Sequence, residues 1–201
     1  MTFQDLIPLF DYSQFEIAIQ NFFCDATAGG GLFVSPPDEH DATRETWTPP
    51  AGQTAFFTAF QAAMFQKARP RVSIEPISYK PFNERAMVLD ANWRAQNRAF
   101  DVPLEFVVVT KSDYKIFTTA CATVRAIVAT MPPVSRAGQI QTTGLNAFMT
   151  STPFELSKLW DAGNSLAIGT DETKGYYAAS IKYNATFGIG ALDWPGGTQT
   201  T

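Results

Sequence analysis

Apolar residues recur at three- and four-residue steps in "SQFEIAIQNFFC", where Phe15, Ala18, Ile19, Phe22 and Phe23 would share one helical face. The spacing predicts a helix over 13–25, ended by the glycines of "ATAGGG". After "TPPAG", Phe56, Phe57, Phe60, Ala63 and Met64 repeat the same period, which predicts a second helix over 53–68, stopped at "RPR". From Arg71 the period falls to two. In "RVSIEPISY" the apolar positions are Val72, Ile74, Ile77 and Tyr79, and Pro76 assigns the strand to a sheet edge, because proline has no N–H for a ladder. "RAMVLDANW" and "FDVPLEFVVV" read as the next two strands, and the polar "RAQNRA" between them predicts an antiparallel hairpin.

A third helix follows, with Tyr114, Phe117, Cys121, Val124, Val128 and Met131 on one stripe, Ser112 or Asp113 as its cap, and "MPPV" as its stop. "FELSKLW" and "NSLAIG" read as two strands about an Asp-Ala-Gly turn. Residues 176–189, "YYAASIKYNATFGI", alternate throughout. At about 3.3 Å per residue such a strand exceeds roughly 40 Å, so it must curve, bulge at Gly188 or reach beyond its own domain. The tail "DWPGGTQTT" is expected to be loose. These elements give an α+β fold: a mainly antiparallel sheet with two or three helices packed on one face. The chain reads as a single domain over 1–201, with long loops or arms at 26–52 and 134–153.

Composition narrows the partners. With 201 residues and 45% hydrophobic content, the chain is long enough for one substantial core. Its formal charge of −4 offers no global attraction to phosphate backbones, so wrapping of nucleic acid is not expected. The start "MTFQDLIPLFDYSQFEIAIQNFF" has no basic region and is interrupted by Asp5, Asp11 and Glu16, so neither an export signal nor a membrane partner is expected. Synthesis in a host cytoplasm is expected. "NAT" at 184–186 matches a glycosylation sequon, which is chance without export.

Catalytic signatures are missing from the pattern. The turn before the third helix holds "TKSDYK", with no phosphate-binding glycines and no nucleophile elbow there or elsewhere. Gly29 to Gly31 run into "LFV" instead of a helix start, which argues against phosphate binding. "DEHD", Asp38 to Asp41, holds the only histidine, His40, but consecutive residues rarely converge on one ion, so no metal is expected. Glu84, Asp90 and Glu105 are candidate acid–base carboxylates that equally suit surface charge. Cys24 and Cys121 sit beside apolar helix positions, where a reduced thiol is a small hydrophobe. No enzyme activity and no cofactor are expected.

The surplus lies in apolar residues placed in loops. Leu32, Phe33, Val34 and Trp47 fall in the first arm, and Ile140, Leu145, Phe148 and Met149 in the second. They are candidates for a subunit or partner interface, or the arms fold back and cover this chain's own core.

Helix, a hairpin ending "PLEFVVVTKSDY", the long helix "YKIFTTACATVRAIVATM" and late strands closing on "YYAASIKYNATFGI" resemble the tail terminator, or tail-completion, proteins of tailed phages and phage-like particles. The likeness covers about residues 53–190. It implies a structural virion protein that forms a homo-oligomeric ring at the head-proximal end of the tail, joining tail-tube and connector proteins while DNA only passes through the lumen. Another head–tail connector or tail-tube component fits the same pattern. A monomeric ligand-binding module and an enzyme without a recognisable motif are the alternatives from other classes.

Overall fold

The computed structural model describes residues 12–37, 46–65, 68–74, 84–86, 98–111, 113–133, 143–149, 154–167 and 176–189. Helix α1 spans Tyr12–Cys24. Strands β1 (Phe33–Val34) and β2 (Thr54–Phe57) precede the short helix α2 (Ala59–Met64). Then come β3 (Arg71–Ile74), β4 (Glu84–Ala86), β5 (Arg98–Lys111) and helix α3 (Tyr114–Val128). A 3₁₀ turn at Gly144–Phe148 leads to β6 (Phe154–Ala167) and β7 (Tyr176–Ile189).

The strands form one sheet in the order β1-β2-β3-β5-β7-β6, with β4 added to the start of β5. The fold is α+β, but the sheet is mixed where a mainly antiparallel one was expected. Both β1–β2 and β2–β3 are parallel, while β3, β4, β7 and β6 join antiparallel. Parallel neighbours need a crossover between them. The two crossovers fall between β1 and β2 and between β2 and β3, and the second holds α2. The expected antiparallel hairpin is present as β4 against β5.

The helix expected over 53–68 is therefore a strand followed by one and a half turns of helix. Phe56 joins one core cluster, while Ala55 and Phe57 join another with Phe65 and Ala68. Consecutive residues that bury to opposite sides define a strand covered on both faces, as parallel strands usually are. Helix α2 then starts on a capping box: the Thr58 side chain accepts from the Gln61 N–H at 3.3 Å, and the Gln61 side chain accepts from the Thr58 N–H at 3.1 Å. Phe60, which a helix through the whole segment would bury, is 64% exposed. Helices α1 and α3 share the main core, and α2 packs with Trp47, Phe57 and Phe65 on the other face. Two of the helices, α1 and α3, thus share one face of the sheet, within the expected two or three, and α2 lies on the other.

The main core is an aromatic mass. Phe23 stacks on Phe56 at 4.4 Å and lies edge-on to Phe33 at 5.3 Å, while Phe15 meets Phe187 at 4.7 Å. Each fully buried phenylalanine contributes about 1.5–3 kcal/mol by removal from water. Asp113 caps α3 by accepting from the N–H groups of Lys115 and Ile116. Of the expected α3 stripe, Phe117, Val124, Val128 and Met131 are buried, Cys121 is half-buried and Tyr114 is exposed.

The two late strands differ from expectation in where they bend. β7 pairs with β5 from Lys111↔Tyr176 to Ala99↔Gly188 without a break, so there is no bulge at Gly188. The irregularities lie in β6, between Leu156 and Lys158 and between Asp161 and Gly163. "FELSKLW" and the "NSLA" of the second expected strand belong to one strand, β6, and the Asp-Ala-Gly between them is its second bulge. Gly163 adopts a φ of +106°, and its N–H donates to Asp161 Oδ1 at 2.8 Å. The segments 75–83, 87–97 and 190–201, on which strand or tail expectations also fell, lie outside the described residues.

Candidate assembly surface

β6 is the outer strand of the sheet beside β7. Among the described residues its outer edge is used at one place: Asn146 in the 3₁₀ turn donates to the Leu156 carbonyl at 3.2 Å and accepts from the Leu156 N–H at 2.7 Å. Backbone groups of a strand alternate between its two edges. Leu156 stands opposite Phe187, so residues opposite odd-numbered positions of β7 present their N–H and C=O outward. Asn164, opposite Ile181, and Leu166, opposite Ala179, are of this kind. Among the described residues nothing pairs with that edge from Trp160 to Ala167.

Side chains frame the open stretch on both faces. Trp160, opposite Asn184, is 42% exposed on the face away from α3. On the helical face, a groove of about 240 Å³ runs between β6 and α3, lined mainly by apolar atoms of Tyr114, Phe117, Cys121 and Ile181, with Arg125 and Asn164 at its rim. Burial raises the Tyr183 phenol above its ordinary pKa, with Asp161 adding to the rise and Arg125 opposing it. The phenol is neutral at physiological pH.

A second, larger groove of about 520 Å³ lies between the outer side of α3 and the β1–β2 edge. Leu32, Pro49, Pro50 and Pro70 face Lys115, Ile116 and Thr119 across it. Leu32 is 46% and Ile116 47% exposed, so apolar surface is open on both walls.

The sequence-derived interface candidates separate into several groups. Leu32 is exposed and lines the larger groove. Phe33, Leu145 and Met149 are buried in this chain's own core. Phe148 is half-buried edge-on to Phe22 at 5.5 Å, and Trp47 is half-buried against Phe57 and Phe65. Val34 is half-buried in β1, and Ile140 lies outside the described residues. Trp160 and Asn164 are not marked by the sequence, because "KLWDAGNS" reads as a strand running into a turn, and Asn146 is not, because its partner Leu156 is brought to it only by the fold.

Candidate chemistry is dispersed. Burial pushes the Cys24 thiol up to about 12 and raises that of Cys121, so both are protonated at neutral pH and poor nucleophiles. Glu105 accepts from the Ser180 hydroxyl and lies 3.6 Å from the Lys182 ammonium, on the face opposite the 240 Å³ groove. Asp38 to Asp41, including His40, and Asp90 lie outside the described residues, which include no cluster of His, Cys, Asp or Glu able to hold a metal. No described helix is long and apolar enough to cross a membrane.

No protein-family model matches the chain, and no curated protein matches it. Among solved structures, a chain of the "Virion of native gene transfer agent (GTA) particle" is similar at a TM-score of 0.45 and 12% identity, covering 90% of this chain and 99% of that one. At that score and identity the likeness is one of outline and carries no argument about role.

Proposed function

We propose that the chain is a structural protein of a tailed phage or phage-like particle, assembling into a ring at the head-proximal end of the tail between tube and connector proteins. The observation that carries this reading is the outer edge of β6, which nothing among the described residues pairs from Trp160 to Ala167, beside an exposed tryptophan and an apolar groove. An open edge of that length is a template for pairing with another chain. The larger groove beside Leu32 is a second contact surface on another side of the molecule, as head-to-tail contacts require. Raised cysteine pKa values and dispersed carboxylates favour a role without catalysis. The acidic balance suits a lumen through which DNA slides without being gripped. Apolar groove walls also favour a second reading, a monomeric module holding a small ligand beside Leu32.

Sedimentation velocity and negative-stain microscopy of the purified chain, alone and with isolated tail tubes, test the assembly reading. Rings, or particles capping the tube end, are expected. A strict monomer at high concentration that also leaves the tubes bare would overturn it.

A further inference from the structure

Among the described residues six large apolar side chains stand exposed, and four of them fall into two pairs. Ile17 and Phe60 form the first: the Glu16 carboxylate accepts from the Ala59 N–H at 3.1 Å, which brings α1 and α2 together one residue before each. Leu32 and Ile116 form the second, on facing walls of the groove of about 520 Å³. The pairs lie at opposite ends of the parallel strands. Leu32 precedes β1, Thr54 opens β2 and Pro70 precedes β3, so the groove gathers at the strand starts, whereas Phe60 lies just beyond the end of β2. The extended chain from Thr54 to Thr58 spans about 13 Å. One molecule therefore keeps its own Phe60 away from its own groove.

We infer that this groove receives Phe60 and Ile17 of a second copy of the chain, with Glu16 of that copy set against Lys115. The inference rests on the reading of the chain as a ring-forming protein and names the contact between neighbours. A groove of that volume is of the size that takes a small molecule, so it has room for both side chains. Pro49, Pro50 and Pro70 stiffen its walls, and an aromatic anchor in a rigid apolar pocket is the usual centre of a protein contact.

Charge matches as well. Lys115 is the only charged residue among the described lining of the groove, and Glu16 is the only charged residue in α1 or α2. One cation meets one anion, so the contact buries no charge of unmatched sign. A small ligand in the groove would cover Leu32 and Ile116 but leave Phe60 and Ile17 bare. Because the two surfaces sit at opposite ends, a pair of copies still offers one unused groove and one unused Phe60. Repetition of such a head-to-tail contact gives a ring when the rotation closes.

Sedimentation velocity of the intact chain, of Phe60→Asp, of Leu32→Asp and of an equimolar mixture of these variants tests the contact. Both substitutions replace exposed side chains, and circular dichroism melting curves verify that the variants fold. Ile116→Asp, on the opposite wall, replaces Leu32→Asp if that variant does not. The wild type is expected to assemble, and each variant alone should associate at least roughly thirtyfold more weakly. The mixture should form one-to-one dimers and stop there, since one variant keeps its groove and the other keeps its Phe60. Lys115→Ala, which leaves the apolar walls in place, should weaken association about two- to fivefold. Assembly of either variant as tight as that of the wild type would overturn the inference. So would a mixture that stays monomeric while the wild type assembles. Loss of tail-tube capping in Leu32→Asp but not in Phe60→Asp would give the groove to a different protein and also overturn it. If both variants cap tubes as the wild type does and no copy binds another, this contact is lost while the virion reading stands. A wild type that neither assembles nor caps tubes counts against the assembly reading itself.

Discussion

The carboxamide of Asn146 hydrogen-bonds both backbone groups of Leu156, ten residues further along the chain, as a neighbouring strand would. One side chain thus closes the start of an edge that no other described residue pairs from Trp160 to Ala167. Asn146→Ala removes both bonds and leaves the Leu156 N–H and C=O without protein partners. A loss of about 1–3 kcal/mol is expected, read as a lower denaturant midpoint with unchanged slope, together with faster aggregation on mild heating.

Gly144 holds the turn that presents Asn146. Its φ is +61°, and a Cβ there would lie 2.3 Å from the Met131 carbonyl oxygen. Gly144→Ala combines backbone strain with a backbone clash and should cost more than about 2 kcal/mol. Gly52 also has a positive φ, +82°, but its Cβ would meet nothing within 4 Å. Gly52→Ala should cost about 1 kcal/mol, and the difference between the two midpoints in parallel denaturation curves checks the assignment.

Glu16 and Gln20, one helical turn apart on α1, both reach the junction between β2 and α2. The Glu16 carboxylate accepts from the Ala59 N–H at 3.1 Å, and Gln20 donates to the Phe56 carbonyl at 2.8 Å. Burial raises the Glu16 pKa above its ordinary 4.5, and the Ala59 bond only partly offsets this. A raised folded-state pKa means that the native state binds the proton more tightly than the unfolded state. The associated stability is full below the unfolded value and is lost as pH rises through the folded value. Glu16→Gln should therefore melt above the wild type at pH 7, with the gap closing as the pH falls through the raised folded value and gone below about 4. A gap that persists or widens in acid would refute the assignment.

Thr110 is 1% exposed, and its hydroxyl has no hydrogen-bond partner. A buried hydroxyl without a partner carries a desolvation cost that an isosteric methyl group lacks. Thr110→Val is expected to raise stability by about 1 kcal/mol, measured by chemical denaturation.

Local signals made much of this fold legible. The 13–25 and 114–131 periodicities, the Asp113 cap and the alternation over 176–189 all depend on neighbours in sequence, and the structure places elements there. Other features depend on partners that periodicity does not reveal. Phe56, Phe57, Phe60 and Met64 satisfy helical spacing, yet Phe56 is drawn to Phe23 on one side of the sheet and Phe57 to Phe65 on the other. The parallel pairs at that end follow from the same strand and were equally hidden. Asp161 and Gly163 use turn chemistry, an Asx contact beside a positive φ, to build a bulge within a continuous strand. Of the candidate surface, Leu32 was visible as an apolar residue in a loop. The Asn146–Leu156 pairing and the groove under α3 exist only once the strands are assembled.

The pairing of β5 with β7 joins residues 98–111 to 176–189. On a ribosome working at about 5–20 residues per second, the apolar edge of β5 waits roughly 4–16 s for its partner to be made. During that interval Phe106 and Val108 depend on β3 and α3 for shelter, so the nascent chain is most exposed to chaperones and to misassembly between the two halves of its synthesis.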